Sequence, residues 1–213
     1  MKIKDRLLLC LILLAILLFS PMFLLREVGP LDFWWWMSAN LVILITLAWW
    51  KDLNYRRHLR DDLSKKLTHK LLLGVFSAAL LYGVFYAGNI ISPWILPQAP
   101  DQISSIYDFK GDASRVRILL LMLLIIGPGE ELFWRGYLQR KLMLRTGNLQ
   151  GFIWATLLYT LVHILTGNVM LILAAATAGI FWGWMYMKYR SVTANMISHL
   201  LWDISIFLIW PIQ

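Results

Sequence analysis

The sequence predicts an all-α, polytopic transmembrane helical bundle of about seven spans with a cytosolic N-terminus. Three observations carry this reading. Of the 213 residues, 60% are hydrophobic and 15% charged, with a mean hydropathy of +0.65, which is far from the balance of a water-soluble domain. Apolar runs of about 20 residues, the length that crosses a bilayer, recur along the whole chain. The basic residues lie between these runs rather than in one patch, so the net charge of +8 reflects membrane orientation and no nucleic acid partner is expected.

The first span is Leu7–Leu25, preceded by Lys2, Lys4 and Arg6. Its charge pattern is that of a signal peptide, but it is longer than a signal core and no small-x-small cleavage site follows it. Three leucines precede Cys10, which does not suit lipoprotein processing, and a single cysteine excludes both an internal disulfide and a Cys-based zinc site. The second span, Phe33–Trp50, carries Trp34, Trp35 and Trp36 at one end and Trp49 and Trp50 at the other, as interfacial aromatic belts do. Lys51–Lys70, with seven Lys/Arg against three Asp, reads as a cytosolic connection or interfacial helix attracted to anionic lipid, with His58 and His69 solvated.

A third span runs from Leu71 to about Leu96, followed by a polar loop from Pro97 to Arg117. The fourth, Ile118 to about Gln139, is expected to be broken at Gly127-Pro128-Gly129. The fifth is about Gly151–Leu165, the sixth Val169–Met187 and the seventh Val192–Trp210. With the N-terminus inside, the cytosolic stretches Met1–Arg6, Lys51–Lys70, Arg140–Gln150 and Lys188–Arg190 hold 15 of the 20 Lys and Arg residues. This asymmetry favours the stated topology over its inverse. The chain divides into an N-terminal part (1–117) holding spans one to three with the basic loop 51–70, and a C-terminal part (118–213) holding spans four to seven, where the chemistry-bearing residues lie.

Inside the spans the ionisable residues are Glu130, Glu131, Arg135, His163, His199 and Asp203. An Asp, Lys or Arg at a helix centre costs roughly 2.5–3.5 kcal/mol on insertion, so these groups are expected to meet one another. At about 1.5 Å per residue, Glu130 lies about 15 Å, His163 about 18 Å and His199 about 12 Å from the cytosolic ends of their helices, which is one common level. Glu131 and Arg135 are four apart and can form an ion pair on one helix face, while Glu130 points about 100° away. His199 and Asp203 are again four apart, with Asn195 one turn earlier on the same face.

A carboxylate and a histidine in one desolvated pocket can deprotonate a water, and a second histidine with a polar neighbour can stabilise the oxyanion of a tetrahedral intermediate. This describes hydrolysis of a carbonyl compound. No Ser, Thr or Cys stands at recognisable spacing from a base, so covalent catalysis has no candidate. Glu130, His163 and His199 could alternatively hold zinc or another divalent metal and activate its water, although the helical H-E-x-x-H motif is absent.

The stretch Pro128-Gly129-Glu130-Glu131-Leu132-Phe133-Trp134-Arg135-Gly136-Tyr137-Leu138 resembles the first signature, E-E-x-x-x-R, of the CAAX protease and bacteriocin-processing (CPBP, or Abi) family of intramembrane proteases. Tyr159-Thr160-Leu161-Val162-His163 is similar to the second, F-x-x-x-H, with Tyr for Phe, a change expected to matter only for packing. His199-Leu200-Leu201-Trp202-Asp203 is similar to the third, H-x-x-x-N, with Asp for Asn. The resemblance covers about 118–206. It implies that Glu130 with His163 activates the attacking water, that His199 and Asp203 stabilise the oxyanion, and that Glu131 and Arg135 hold the site together, with Asn195 in support. An ionised Asp203 cannot donate to an oxyanion, so it would act protonated or by orienting His199. The family has been described both as metalloproteases and as metal-free glutamate peptidases. The metal-free description is favoured, with no cofactor, because two carboxylates with an internal Arg partner leave less negative charge for an ion.

The expectation is therefore a multi-pass intramembrane endopeptidase whose partners are the lipid bilayer and a lipidated or membrane-anchored peptide or protein. Its water-filled pocket is expected to open toward the cytosolic half of the membrane. The short chain and minimal loops suggest the bacterial inner membrane. The sequence does not fix the oligomeric state. A rival reading is a non-catalytic relative that binds a peptide, as in bacteriocin immunity. A transporter would string polar groups across the full membrane thickness rather than cluster them at one level.

Overall fold

In the computed structural model, which describes residues 3–212, the chain is a helical bundle with no strand among the described residues. Helix α1 is Ile3–Leu25, α2 Phe33–Lys51, α3 Leu53–Ser64, α4 Leu67–Ile95 and α5 Ala99–Tyr107. A continuous helical run over 115–146, here α6, is followed by α7 Asn148–Leu161, α8 Val169–Tyr189 and α9 Val192–Ile204, which continues through Ser205–Ile209. Among the described residues, six helices are long and apolar enough to cross a membrane: α1, α2, α4, α7 with its extension to Thr166, α8, and α9 with its extension to Ile209. The expected fourth span lies within α6, which carries the two glutamates and Arg135 and is not one uniform α-helix.

The spans are apolar all round, as lipid-facing helices must be. In α1 the inward stripe is Leu8, Leu11, Ala15, Phe19 and Met22, at intervals of three and four residues, whereas Leu9, Leu13, Leu17 and Leu24 face outward. Polar groups close the interior: Asn40 on α2 donates to the Leu18 carbonyl at 2.9 Å, so a buried amide joins α1 to α2.

The expected break at Gly127-Pro128-Gly129 does not occur. Pro128 lacks an N–H and its ring crowds the carbonyl four residues earlier, and α6 meets this by widening rather than ending. Met122–Ile126 is π-helical, with Gly127 N–H bonding back five residues to the Met122 carbonyl, and Glu131–Gln139 is π-helical as well. The flanking glycines serve close packing: a Cβ on Gly127 would stand 2.6 Å from Leu200 Cδ2 of α9, and one on Gly129 3.2 Å from Leu41 Cβ of α2.

The basic connection contains a helix that is docked, not merely interfacial. Asp52 caps α3, accepting from Asn54 N at 3.0 Å and Tyr55 N at 3.2 Å, and pairs with Lys141 of α6. The fully buried Tyr55 donates its hydroxyl to the Leu132 carbonyl at 2.9 Å, supplying a partner where the widened helix spaces its own bonds differently. Asp62 accepts from Thr193 N and Oγ1 at 2.8 and 2.7 Å at the start of α9 and pairs with Lys70 at 2.8 Å. His58 is not solvated: its Nε2 lies 3.0 Å from the Tyr186 hydroxyl of α8.

These contacts make α3 docking sensitive to acid. Burial and then the nearby Arg140 hold the His58 imidazolium below the usual histidine range, despite Asp61 and Asp62. Burial pushes Asp62 up, but Lys70, the Thr193 donors and Ser191 outweigh it and leave the carboxyl below its ordinary value; Asp52 is likewise held down against burial by Lys141 and the Tyr55 and Asn54 N–H groups. A folded value below the unfolded one, for either residue type, gives stability that is present above the unfolded pKa and lost as pH falls through the folded value. Amide hydrogen exchange over 53–64, corrected for intrinsic rates, should therefore accelerate first below about pH 6.5 as His58 protonates, and again below about pH 4 as the aspartates do. Exchange that is unchanged down to pH 4 would show that His58 does not hold the helix, and exchange unchanged below pH 4 would show that the aspartate pairs do not.

Candidate active site

Glu130 and Glu131 leave α6 in different directions and enter different surroundings. Glu131 is fully buried and is the hub of a polar network. Its Oε1 accepts from Arg135 Nη1 at 3.0 Å and from His199 Nδ1 at 2.8 Å, and its Oε2 accepts from Asn195 Nδ2 at 3.2 Å. Asn195 Nδ2 also donates to the Trp182 carbonyl at 2.7 Å. The expected Glu131–Arg135 pair is thus present, and the carboxylate additionally ties α6 to α9. Arg135 lies over the Tyr159 ring at 4.7 Å, and Trp182 stacks on the His199 imidazole at 3.8 Å between centroids. The Arg135 guanidinium and the His199 ring are therefore held between one carboxylate and aromatic faces.

Glu130 instead faces a cavity. Its Oε2 accepts from the Tyr159 hydroxyl at 2.8 Å. Tyr159, expected only to pack, is thus a direct partner of this carboxylate. The hydroxyl is what distinguishes Tyr from the Phe of the second signature, and it was the available clue.

His163 lies on the fifth span as expected, within Asn148–Thr166, in the turn between the end of α7 and the short 3-10 segment Ile164–Thr166. Its Nδ1 lies 2.8 Å from the Tyr159 carbonyl, and a carbonyl can only accept, so Nδ1 carries the proton and Nε2 of a neutral ring is the free basic nitrogen. Phe23 packs against the ring at 4.6 Å. His199 Nε2 lies 3.6 Å from Asp203 Oδ2, too long for a direct hydrogen bond.

Glu130, Tyr159, His163, His199 and Asp203 all line one cavity of about 510 Å³, which is within the usual range of about 300–1,000 Å³ for ligand pockets. Its remaining walls are mainly apolar. Glu131, Arg135 and Asn195 stand behind this wall rather than on it. Among the described residues no group of three His, Cys, Asp or Glu side chains is arranged as a metal-binding cluster.

The cavity does not open where expected. Its walls come from Phe23 at the end of α1, Phe33 and Trp34 at the start of α2, Ile91 and Ile95 near the end of α4, α5, and the first half of α8. The charge-derived topology places all of these on the side opposite the basic loops. On the side of the basic loops Tyr55, Phe133, Tyr137, Gln139 and Tyr186 are buried.

Residues 112–205, somewhat less than half of the chain, match the model of the family described as type II CAAX prenyl endopeptidase Rce1-like. No curated protein and no solved structure gives a match. The bundle is that of a multi-pass membrane protein, and residues 112–205 are similar to the CAAX-protease class of hydrolases. The matched segment contains all three signatures and agrees with the CPBP resemblance.

Proposed function

We propose that the protein hydrolyses a peptide bond in a lipidated or membrane-anchored peptide or protein, with Glu130 and His163 activating the attacking water. The observation that carries this reading is the placing of Glu130, His163, His199 and Asp203 on the wall of one buried, mainly apolar cavity, with Glu131 and Arg135 locking the supporting helices behind it. Water loses a proton to Glu130, or to His163 Nε2, as its oxygen attacks the scissile carbonyl carbon. His199, its Nδ1–H fixed by Glu131, turns Nε2 toward the cavity, where a proton on that atom stabilises the oxyanion, with Asp203 Oδ2 3.6 Å away. Collapse of the intermediate breaks the C–N bond and returns the abstracted proton to the leaving amine. No step passes through a metal.

The test is cleavage of a peptide library by purified wild type, Glu130→Ala and His163→Ala, each with and without a strong chelator. Cleavage lost in both variants and retained with chelator is expected. Loss with chelator and restoration by zinc would replace the metal-free reading. Absence of cleavage by wild type, with peptide binding that survives both substitutions, would favour the non-catalytic peptide-binding reading.

Tyr159 has a separate expected effect. A hydrogen bond to a charged group contributes about 1.5–3 kcal/mol, so Tyr159→Phe should lower kcat/KM by about 10- to 100-fold while shifting thermal unfolding by only a few degrees. An unchanged kcat/KM would reduce Tyr159 to packing.

A further inference from the structure

Stabilising an oxyanion requires His199 to hold Nε2 at one place on the cavity wall. The hydrogen bond between Nδ1 and Glu131 Oε1, at 2.8 Å, fixes one edge of the ring. It does not fix the plane, because the last torsion of a histidine side chain is broad and the ring can rock about a single anchored nitrogen. A second constraint is needed, and it has to act on the face of the ring.

Trp182 of α8 supplies a face. Its indole stacks on the His199 imidazole with centroids 3.8 Å apart and planes 24° from parallel. Trp202 also neighbours His199, but at 6.5 Å and 62°, and it meets Trp182 edge-on at 5.5 Å, so it backs the indole rather than the imidazole. Trp182 lies between the second and third signatures and belongs to neither.

The indole can set a plane only if it is itself held, and it is. Trp182 is fully buried. Its N–H donates to Ser198 Oγ at 3.1 Å, on the residue before His199, and its carbonyl accepts from Asn195 Nδ2 at 2.7 Å, one turn earlier on α9. Asn195 Nδ2 in turn reaches Glu131 Oε2 at 3.2 Å, which closes a loop of contacts around His199. The next residue, Gly183, accepts from Gln139 Nε2 of α6 at 2.7 Å, and a Cβ there would stand 2.9 Å from the Phe152 ring of α7. The indole is thus located from α6, α7 and α9 together.

We propose that Trp182 is a positioning residue for hydrolysis, which acts through His199 by setting the plane of its ring while Glu131 sets its edge. The consequence for catalysis rests on the peptidase reading, whereas the orientation of the ring is tested without any substrate. Misplacing a catalytic group by about 1 Å can cost about 100-fold. Trp182→Leu should therefore lower kcat by about 10- to 100-fold with KM close to wild type, and Trp182→Phe, which keeps an aromatic face, should restore most of the loss. Equal deficits in the two variants, or a deficit that falls on KM, would overturn the proposal, because lost packing volume or a lost substrate contact would then explain it.

The orientation is read by NMR of the protein labelled with carbon-13 histidine in detergent micelles, where the His199 ring signal is the one that disappears in His199→Asn. Ring protons held over an indole face are displaced upfield. The His199 signal should lie upfield in wild type, move to the ordinary histidine position in Trp182→Leu, and fall between the two in Trp182→Phe. If Trp182→Leu does not fold, the wild-type position and the Trp182→Phe shift still decide the matter. A wild-type signal at the ordinary position, or one that neither substitution moves, would overturn the stack. Failure of the peptidase reading would be seen separately, as library cleavage that does not depend on Glu130, and would leave this spectrum unchanged.

Discussion

Replacing Glu131 by alanine is expected to destabilise the protein by about 3–5 kcal/mol, the usual cost of removing one partner from a buried ion pair. Glu131 is fully buried and takes hydrogen bonds from three side chains on two helices. Its loss leaves the buried Arg135 guanidinium without a counter-charge, frees the His199 ring and unties Asn195. Glu131→Gln preserves shape and one acceptor oxygen, so it should cost less. Glu131→Leu combined with Arg135→Met removes both charges and should recover part of the loss. Thermal unfolding in detergent of the two single variants and the double variant checks this order. If Glu131→Ala unfolds like wild type, the network does not hold α6 to α9, and the account of how His199 is positioned fails with it.

How far the sequence reveals this arrangement depends on the kind of information each feature needs. Spans are set by composition and length, and six of them are present within a few residues of their expected ends. The Glu131–Arg135 pair and the His199–Asp203 pair follow from helical spacing, since neighbours four apart face alike in any α-helix. Features that depend on a second helix are less legible. Pro128 signals a break by local rules, yet the bundle keeps α6 continuous by widening it to a π-helix on both sides. The basic loop reads as solvated because its charge is high, but Tyr55, His58 and Asp62 each find a partner 77 to 131 residues away. Tyr159 reads as packing because its hydroxyl partner, Glu130, is 29 residues earlier on a different helix. The side on which the cavity opens cannot be read from depth alone. Glu130, His163 and His199 share a level, and only the packing of bulky aromatics below them decides which way the space extends.

Glu130→Gln is expected to abolish cleavage almost entirely, by about 10²–10⁴ in kcat/KM, with thermal stability close to wild type. The substitution is nearly isosteric, and a carboxamide oxygen still accepts from the Tyr159 hydroxyl, so the cavity wall keeps its shape. What disappears is the ability to take a proton from water. The contrast with Glu131 separates two adjacent glutamates by their surroundings: one faces an apolar cavity with a single neutral donor, the other sits between the Arg135 guanidinium and the His199 ring behind that wall. Side-by-side measurement of kcat/KM and unfolding temperature for Glu130→Gln and Glu131→Gln should give a large loss of activity at unchanged stability for the first, and a loss of stability for the second. If Glu130→Gln kept more than a tenth of wild-type activity, the proton would have to go to His163 Nε2, the other basic atom on the cavity wall whose ring position is fixed by a backbone carbonyl. The same assay on His163→Ala would then show the larger deficit.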